Sequence, residues 1–351
     1  MTLRKSITRT LLLTGAGLGL TLTSCGYVNE SLPECPEPSA LELQFTHFKN
    51  MAYADGFQRN VHCLGVYIFD ENEKLVKVMS EPDDTYLVDP DYKMYTEMPA
   101  GKYTVLAYGG MECNESDFYH TFNSDKTDLT MNDFFVELKL DSENHVGHSL
   151  HKQFYGRQDV VVNETGTTHA VVDMMRNTND IQVALMHISM TEINADDFVF
   201  ELVDDNNSIN PHNQLIETGE ILYTPWSQRT QMADLSPDFG SKAGEDEDNN
   251  YQGIAAMATF SVSKLETSRH PTLRVSRADD GTEVFKVDLS GYLKMFMAEH
   301  EGINGTESLQ DYLDRENHWQ LMFFLDDQTD VWLNTYIQIQ DWFTRINGMD
   351  F

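Results

Sequence analysis

Apolar and polar residues alternate over short runs from residue 41 almost to the C-terminal end, the two-residue period of half-buried strands. Leu41, Leu43 and Phe45 alternate with polar neighbours. The run 61–70 reaches the turn-like Glu71-Asn72-Glu73 and resumes at Leu75-Val76-Lys77-Val78, a hairpin pattern. After the turn Met98-Pro99-Ala100-Gly101, the stretch from Lys102 to Tyr108 is apolar on both faces, as in a central strand. Further strands are expected at 133–140, 159–162, 169–175, 181–188, 198–203 and 255–262. Residues 272–289 read as a hairpin, with Leu273 and Val275 facing Phe285, Val287 and Leu289 around Asp279-Asp280-Gly281. One short helix interrupts the series: Ser308 caps it, Asp311 completes a capping-box pattern, and Leu309, Tyr312 and Leu313 share a face. Strands resume at 319–325 and 331–340, whereas the acidic tract 244–250 reads as a loop. Many short strands with few helices predict an all-β chain of two β-sandwiches, 41–165 and 166–351.

The N-terminal end has a different pattern. Arg4, Lys5 and Arg9 precede an apolar run over 11–22 and then Thr23-Ser24-Cys25, the layout of a secretory signal peptide. The cysteine directly after the small residue resembles the lipobox of bacterial lipoproteins, which implies cleavage between Ser24 and Cys25 and acylation of the Cys25 thiol. The apolar run is too short to span a bilayer, which takes about 17–25 residues, so attachment is expected through acyl chains. Residues 1–24 are then the leader and 25–40 a lipidated flexible tether containing Pro33, Pro36 and Pro38.

Charge narrows the partners. The chain has 24 Lys and Arg against 57 Asp and Glu, net -33. Without the leader, 21 basic residues face the same 57 acidic ones, net -36. Such a surface repels nucleic acid, which is excluded as a partner.

Once Cys25 is acylated, Cys35, Cys63 and Cys113 remain. Export permits one internal bridge. Cys63 with Cys113 is the preferred pair because both adjoin strong strand candidates; unpaired buried thiols are the alternative.

Other clusters carry weaker chemical signals. His145, His148 and His151 would share a helical face suited to zinc or copper, but Gly147 and Ser149 disfavour helix, and a polar loop is the expected setting. Asp70-Glu71-Asn72-Glu73 and Asp326-Asp327 lack calcium-loop spacing and read as solvated turns. Trp319, Trp332 and Trp342 are at strand positions, where core packing is the expected role rather than sugar stacking. No nucleophile elbow, phosphate loop or dinucleotide fingerprint is present, so no enzyme, cofactor or metal is expected.

Four stretches together resemble the FimB/Mfa family of minor fimbrial anchor subunits of Gram-negative anaerobes. They are Leu64-Gly65-Val66-Tyr67-Ile68-Phe69-Asp70 with its hairpin; Met98 to Gly110; Phe154-Tyr155-Gly156; and Leu309 to Asn317 leading into Phe323-Phe324-Leu325-Asp326. The resemblance covers nearly all of the mature chain. It implies two transthyretin-like β-sandwiches, lipidated at Cys25 and held in the outer membrane with the folded part outward. Such a protein fixes the base of a fimbria and limits its length, engaging a stalk subunit by β-strand complementation. The region behind Cys25 departs from surface-exported lipoproteins of these bacteria, because Gly26-Tyr27-Val28-Asn29 delays the first acidic residue to Glu30. Two other classes compete: a surface glycan-binding lipoprotein, which needs several aromatics on one exposed face, and a secreted hydrolase.

Overall fold

The computed structural model describes residues 37–121, 128–235, 251–293, 308–339 and 342–346. Ser24, Cys25, Cys35, most of the expected tether and the acidic tract 244–250 lie outside the described residues. The first ten strands are β1 (Ala40–Lys49), β2 (Leu64–Asp70), β3 (Leu75–Glu81), β4 (Lys93–Glu97), β5 (Gly101–Gly109), β6 (Phe118–His120), β7 (Val136–Leu138), β8 (His145–Val146), β9 (Phe154–Val162) and β10 (Thr167–Arg176). Then come β11 (Asn179–His187), β12 (Phe198–Asp204), β13 (Ser208–Ile209), β14 (Leu215–Ile216), β15 (Ile221–Tyr223) and β16 (Ser227–Leu235). The series ends with β17 (Tyr251–Val262), β18 (Thr272–Arg277), β19 (Glu283–Asp288), β20 (His318–Leu325), β21 (Trp332–Ile339) and β22 (Trp342–Ile346). The chain is all-β with short helices.

Among the described residues the strands form four sheets, ordered β3-β2-β5-β9-β10-β1-β4, β16-β17-β11-β20-β21-β22, β19-β18-β12-β15-β8 and β14-β13-β7-β6. The stretch 102–108 becomes β5, and from Val105 onwards both of its faces are buried. Val105 and Ala107 enter one core with Leu41, Leu43, Phe45, Val66 and Ile68. Leu106 and Tyr108 enter a second with Tyr67, Phe69 and Phe134, and this second core continues into the β11, β12 and β20 region. A strand buried on both sides cannot alternate, which is why β2 and β5 read as continuous apolar runs.

The expected division at 165 falls in the turn between β9 and β10, which are partners in one sheet. β10 also pairs in parallel with β1, from Ala40↔Thr167 to Lys49↔Met175. Conversely, β7 pairs with β13, and β8 with β15. The change of sheet comes at Asn177-Thr178. Arg176, Asn177, Thr178 and Asn179 are all buried there.

Burying four polar residues in succession requires partners for each. Asn177 Nδ2 donates to Gln153 Oε1 at 2.7 Å and to Asn213 Oδ1 at 2.8 Å, and Asn213 Nδ2 donates back to Asn177 Oδ1 at 3.0 Å. Arg176 donates to Thr178 Oγ1 and to Asp180 Oδ2, and Trp319 Nε1 donates to Asn179 Oδ1. Asn177→Leu keeps the branched heavy-atom shape, with somewhat more bulk, but strands the amides of Gln153 and Asn213. The expected loss is about 2–4 kcal/mol, read as a lower urea midpoint; an unchanged midpoint would show that the network is dispensable.

Local signals account for the hairpin and the helix. β18 and β19 pair with Leu273↔Val287 and Val275↔Phe285, and Gly281 takes φ +73°, the left-handed value its turn requires. Ser308 and Asp311 form a reciprocal capping box on helix Leu309–Leu313. That helix sets Tyr312 edge-on against Trp319, with ring centroids 5.8 Å apart.

Candidate functional site

The described chain starts at Glu37 and is taken into the fold at once. Ser39 Oγ donates to Met98 O at 2.7 Å and to Asn163 O at 2.8 Å, and Ala40 N donates to Gly166 O at 3.1 Å. β1 then runs between two partners, β10 on one side and β4 on the other. Leu41, Leu43 and Phe45 fill the first core, each at most 2% exposed. Glu42 binds Lys93 Nζ and His169 Nδ1, and these contacts, Lys93 foremost, hold its carboxyl below the usual range. Thr46 Oγ1 and Phe48 N both donate to Asp173 Oδ1. The groove that β1 occupies is therefore closed by the chain's own residues.

Among the described residues, open strand edges lie elsewhere. β3 and β4 end the seven-stranded sheet, and β16 and β22 end the six-stranded one. On β3, Val76 and Val78 are 45% and 48% exposed with Lys77 between them, while Leu75 N is taken by Leu129 O. A lysine flanked by exposed valines is a common guard on an edge that would otherwise pair indiscriminately. The stretch 331–340 forms β21, in place beside β20.

The three histidines do not converge. His145 Nδ1 faces Asp141 Oδ2 at 3.0 Å, and its Nε2 faces Thr224 Oγ1 at 2.8 Å. His148 and His151 instead share Asp117, at 2.9 and 2.7 Å. Burial opposes ionisation of Asp117, but the bonds from His151 N and the two imidazoles hold its carboxyl below the ordinary range. Among the described residues no group of three or more His, Cys, Asp or Glu is arranged to hold a metal ion. Asp70 and Asp326 accept backbone N–H groups of their own turns. Trp319 is 1% exposed and belongs to the core; Trp332 packs against Phe285 and Phe323; the Trp342 side chain lies outside the described residues. Among the described residues the exposed rings are Phe48 on β1, Tyr53 in the loop after it, Tyr86 between β3 and β4, Tyr95 on β4, Tyr119 on β6 and Trp226 just before β16.

Cys63 and Cys113 are joined by a disulfide, with Cα atoms 5.3 Å apart. Beside it, the Tyr67 hydroxyl donates to Glu112, and burial, with Glu112 adding to it, pushes the phenol pKa well up.

A polar cleft of about 970 Å³ lies where β11, β18 and β20 end. At its wall Asp330 accepts from Arg277 and faces His187 Nε2 at 3.0 Å, while Glu192, Asp196 and Asp279 line it as carboxylates. Its residues come from segments nearly 150 positions apart, and no local pattern could have joined them. The same holds for Asp173, which ties down β1 from 125 residues away.

The family model for fimbrillin-A associated anchor proteins Mfa1 and Mfa2 matches residues 32–348, and the chain belongs to that family. A candidate adhesin from Bacteroides thetaiotaomicron is similar over 90% of this chain and 100% of its own, at 32% identity and TM-score 0.77. The fold is also that of a candidate polysaccharide-binding protein from the same species, covering 88% of this chain and 98% of that one at 21% identity and TM-score 0.72. The fimbrial anchor protein Mfa2 from Porphyromonas gingivalis covers 89% and 99%, at 17% identity and TM-score 0.60. No curated protein sequence matches. The protein is a structural subunit of the fimbrial anchor class.

Proposed function

We propose that this subunit is acylated at Cys25, held by its acyl chains in the outer membrane with the folded part outward, and joined to a fimbrial stalk subunit by β-strand complementation. The observation that carries the reading is the position of β1: the strand nearest the tether is paired on both sides, so its groove offers a partner nothing, whereas open edges remain at β3, β4, β16 and β22. An added strand satisfies main-chain groups along such an edge, and alternate side chains set its register. Fixing the N-terminus in lipid while the fold remains free to bind on one side would terminate a fimbria at the membrane and restrict its length. Two or more acyl chains make such attachment stable, since each buried methylene contributes about 0.8 kcal/mol.

The test is metabolic labelling with an alkyne fatty acid in wild-type and Cys25→Ala cells. Label and membrane fractionation should both be lost in the variant. Label that persists in Cys25→Ala would place the acyl group elsewhere and remove the premise.

A further inference from the structure

Hydrogen bonds of a strand pair respond differently to load along the strands and load across them. Pulled across, they break one pair at a time; pulled lengthwise in opposite directions, the whole ladder must fail together. A protein that ties a fibre to a membrane is loaded through its tether, so the direction in which β1 is pulled matters.

We infer that β1 and β10 form a mechanical clamp, placed so that tension between the membrane tether and a stalk engaged on the six-stranded sheet loads them in shear. This rests on the tether reading above. The two strands are parallel and share eight register pairs, from Ala40↔Thr167 to Lys49↔Met175. The tether enters at the Ala40 end. β10 leaves at the opposite end, through Asn177 and Thr178, directly into β11.

β10 pairs with β9 and β1, while β11 pairs with β17 and β20, so the chain changes sheets here and load from β11 reaches β10 through its C-terminal end. β11 then runs away from the junction to His187, which meets Asp330 and, through it, Arg277. Tension between residue 37 and that far end pulls β1 towards its own N-terminus and β10 towards its C-terminus. The pairs share the load.

Three further features resist sliding. β4 holds the other flank of β1 through five pairs. Leu41, Leu43 and Phe45 are buried knobs that would have to be dragged through a packed core. Cross-ties join the two strands: Glu42 to His169, Thr46 and Phe48 N to Asp173, and His47 Nδ1 to Met174 O at 2.7 Å. The buried amide network around Asn177 then passes the load from β10 into the second core without an exposed hinge.

The test compares two pulling directions on the full-length protein in an optical trap, with azide-bearing residues as handles. Handles at Glu37 and Asp279, both exposed, load β1 against β10 in shear. Handles at Glu37 and Glu164 peel the same ladder from its open end, because Glu164 lies in the turn whose Gly166 O accepts Ala40 N. The first rupture should need a several-fold higher force in the 37–279 geometry than in the 37–164 geometry. Equal or lower force overturns the clamp. The trap contains no membrane, so that outcome leaves the tether reading intact; membrane retention of Cys25→Ala would remove the tether and leave the rupture forces as they are.

Discussion

Replacing Cys63 and Cys113 together by alanine should lower the stability of the folded part by about 4 kcal/mol. The bridge closes a loop of 50 residues that contains β2, β3, β4 and β5. In the chain-entropy account, opening a loop of that size returns conformational freedom to the unfolded chain and leaves native contacts as they were. Nothing else in the sequence offers a covalent substitute, and the seven-stranded sheet must then close β2 onto β3 and β5 by packing alone. The urea midpoint of the alanine pair should fall well below that of the oxidised wild type and match that of the reduced wild type. Equal midpoints for oxidised and reduced protein would show that the bridge adds nothing.

Asp204→Asn should make the protein relatively more stable as pH rises. Asp204 is 5% exposed; its Oδ1 accepts Asp205 N at 2.8 Å, while Oδ2 has no hydrogen-bond partner among the described residues. Burial pushes its pKa up to about 7, opposed by the Asp205 N–H and by Arg269 and reinforced by Asp205 and Asp288. An unfolded Asp titrates near 3.9, so the folded state holds this proton more tightly. The neutral carboxyl is therefore tolerated fully below about pH 4, and stability is lost as pH rises towards 7, by about 4 kcal/mol over the interval. Asn removes that dependence. The stability difference, variant minus wild type, should grow by about 2–3 kcal/mol between pH 5 and pH 8. A difference independent of pH would show that the carboxyl does not change its charge there. Comparing the two chains cancels the other carboxylates, such as Asp117 and Asp288, whose lowered pKa values act in the opposite sense at acid pH.

What could be read from the residues was mostly local. The β18–β19 hairpin follows from alternation and one turn, and the helix at 309–313 from its capping box; both are settled within twenty residues. The lipobox resemblance is likewise a local pattern. The helix Phe57–Asn60 escaped because its cap, Gly56, makes no side-chain bond, and β6 and β8 because strands of three and two residues are too short to show a period. The division expected at 165 falls between two paired strands, and β1 pairs with β10 some 127 residues away; periodicity carries no information on which strands meet. Asp204 was one residue beyond the strand read at 198–203, yet its parity with Phe198, Phe200 and Leu202 puts it on the inner face. The acidic cleft and the cross-ties of β1 arise only when distant segments converge.

The most direct measurement is a count of fimbriae attached to cells against fimbriae shed into the medium, in the native host, for wild type and Cys25→Ala. The variant should leave the membrane, and fimbriae should become longer or appear in the medium. Fimbriae that remain attached and unchanged in length while the protein itself is lost from the membrane would contradict an anchoring role.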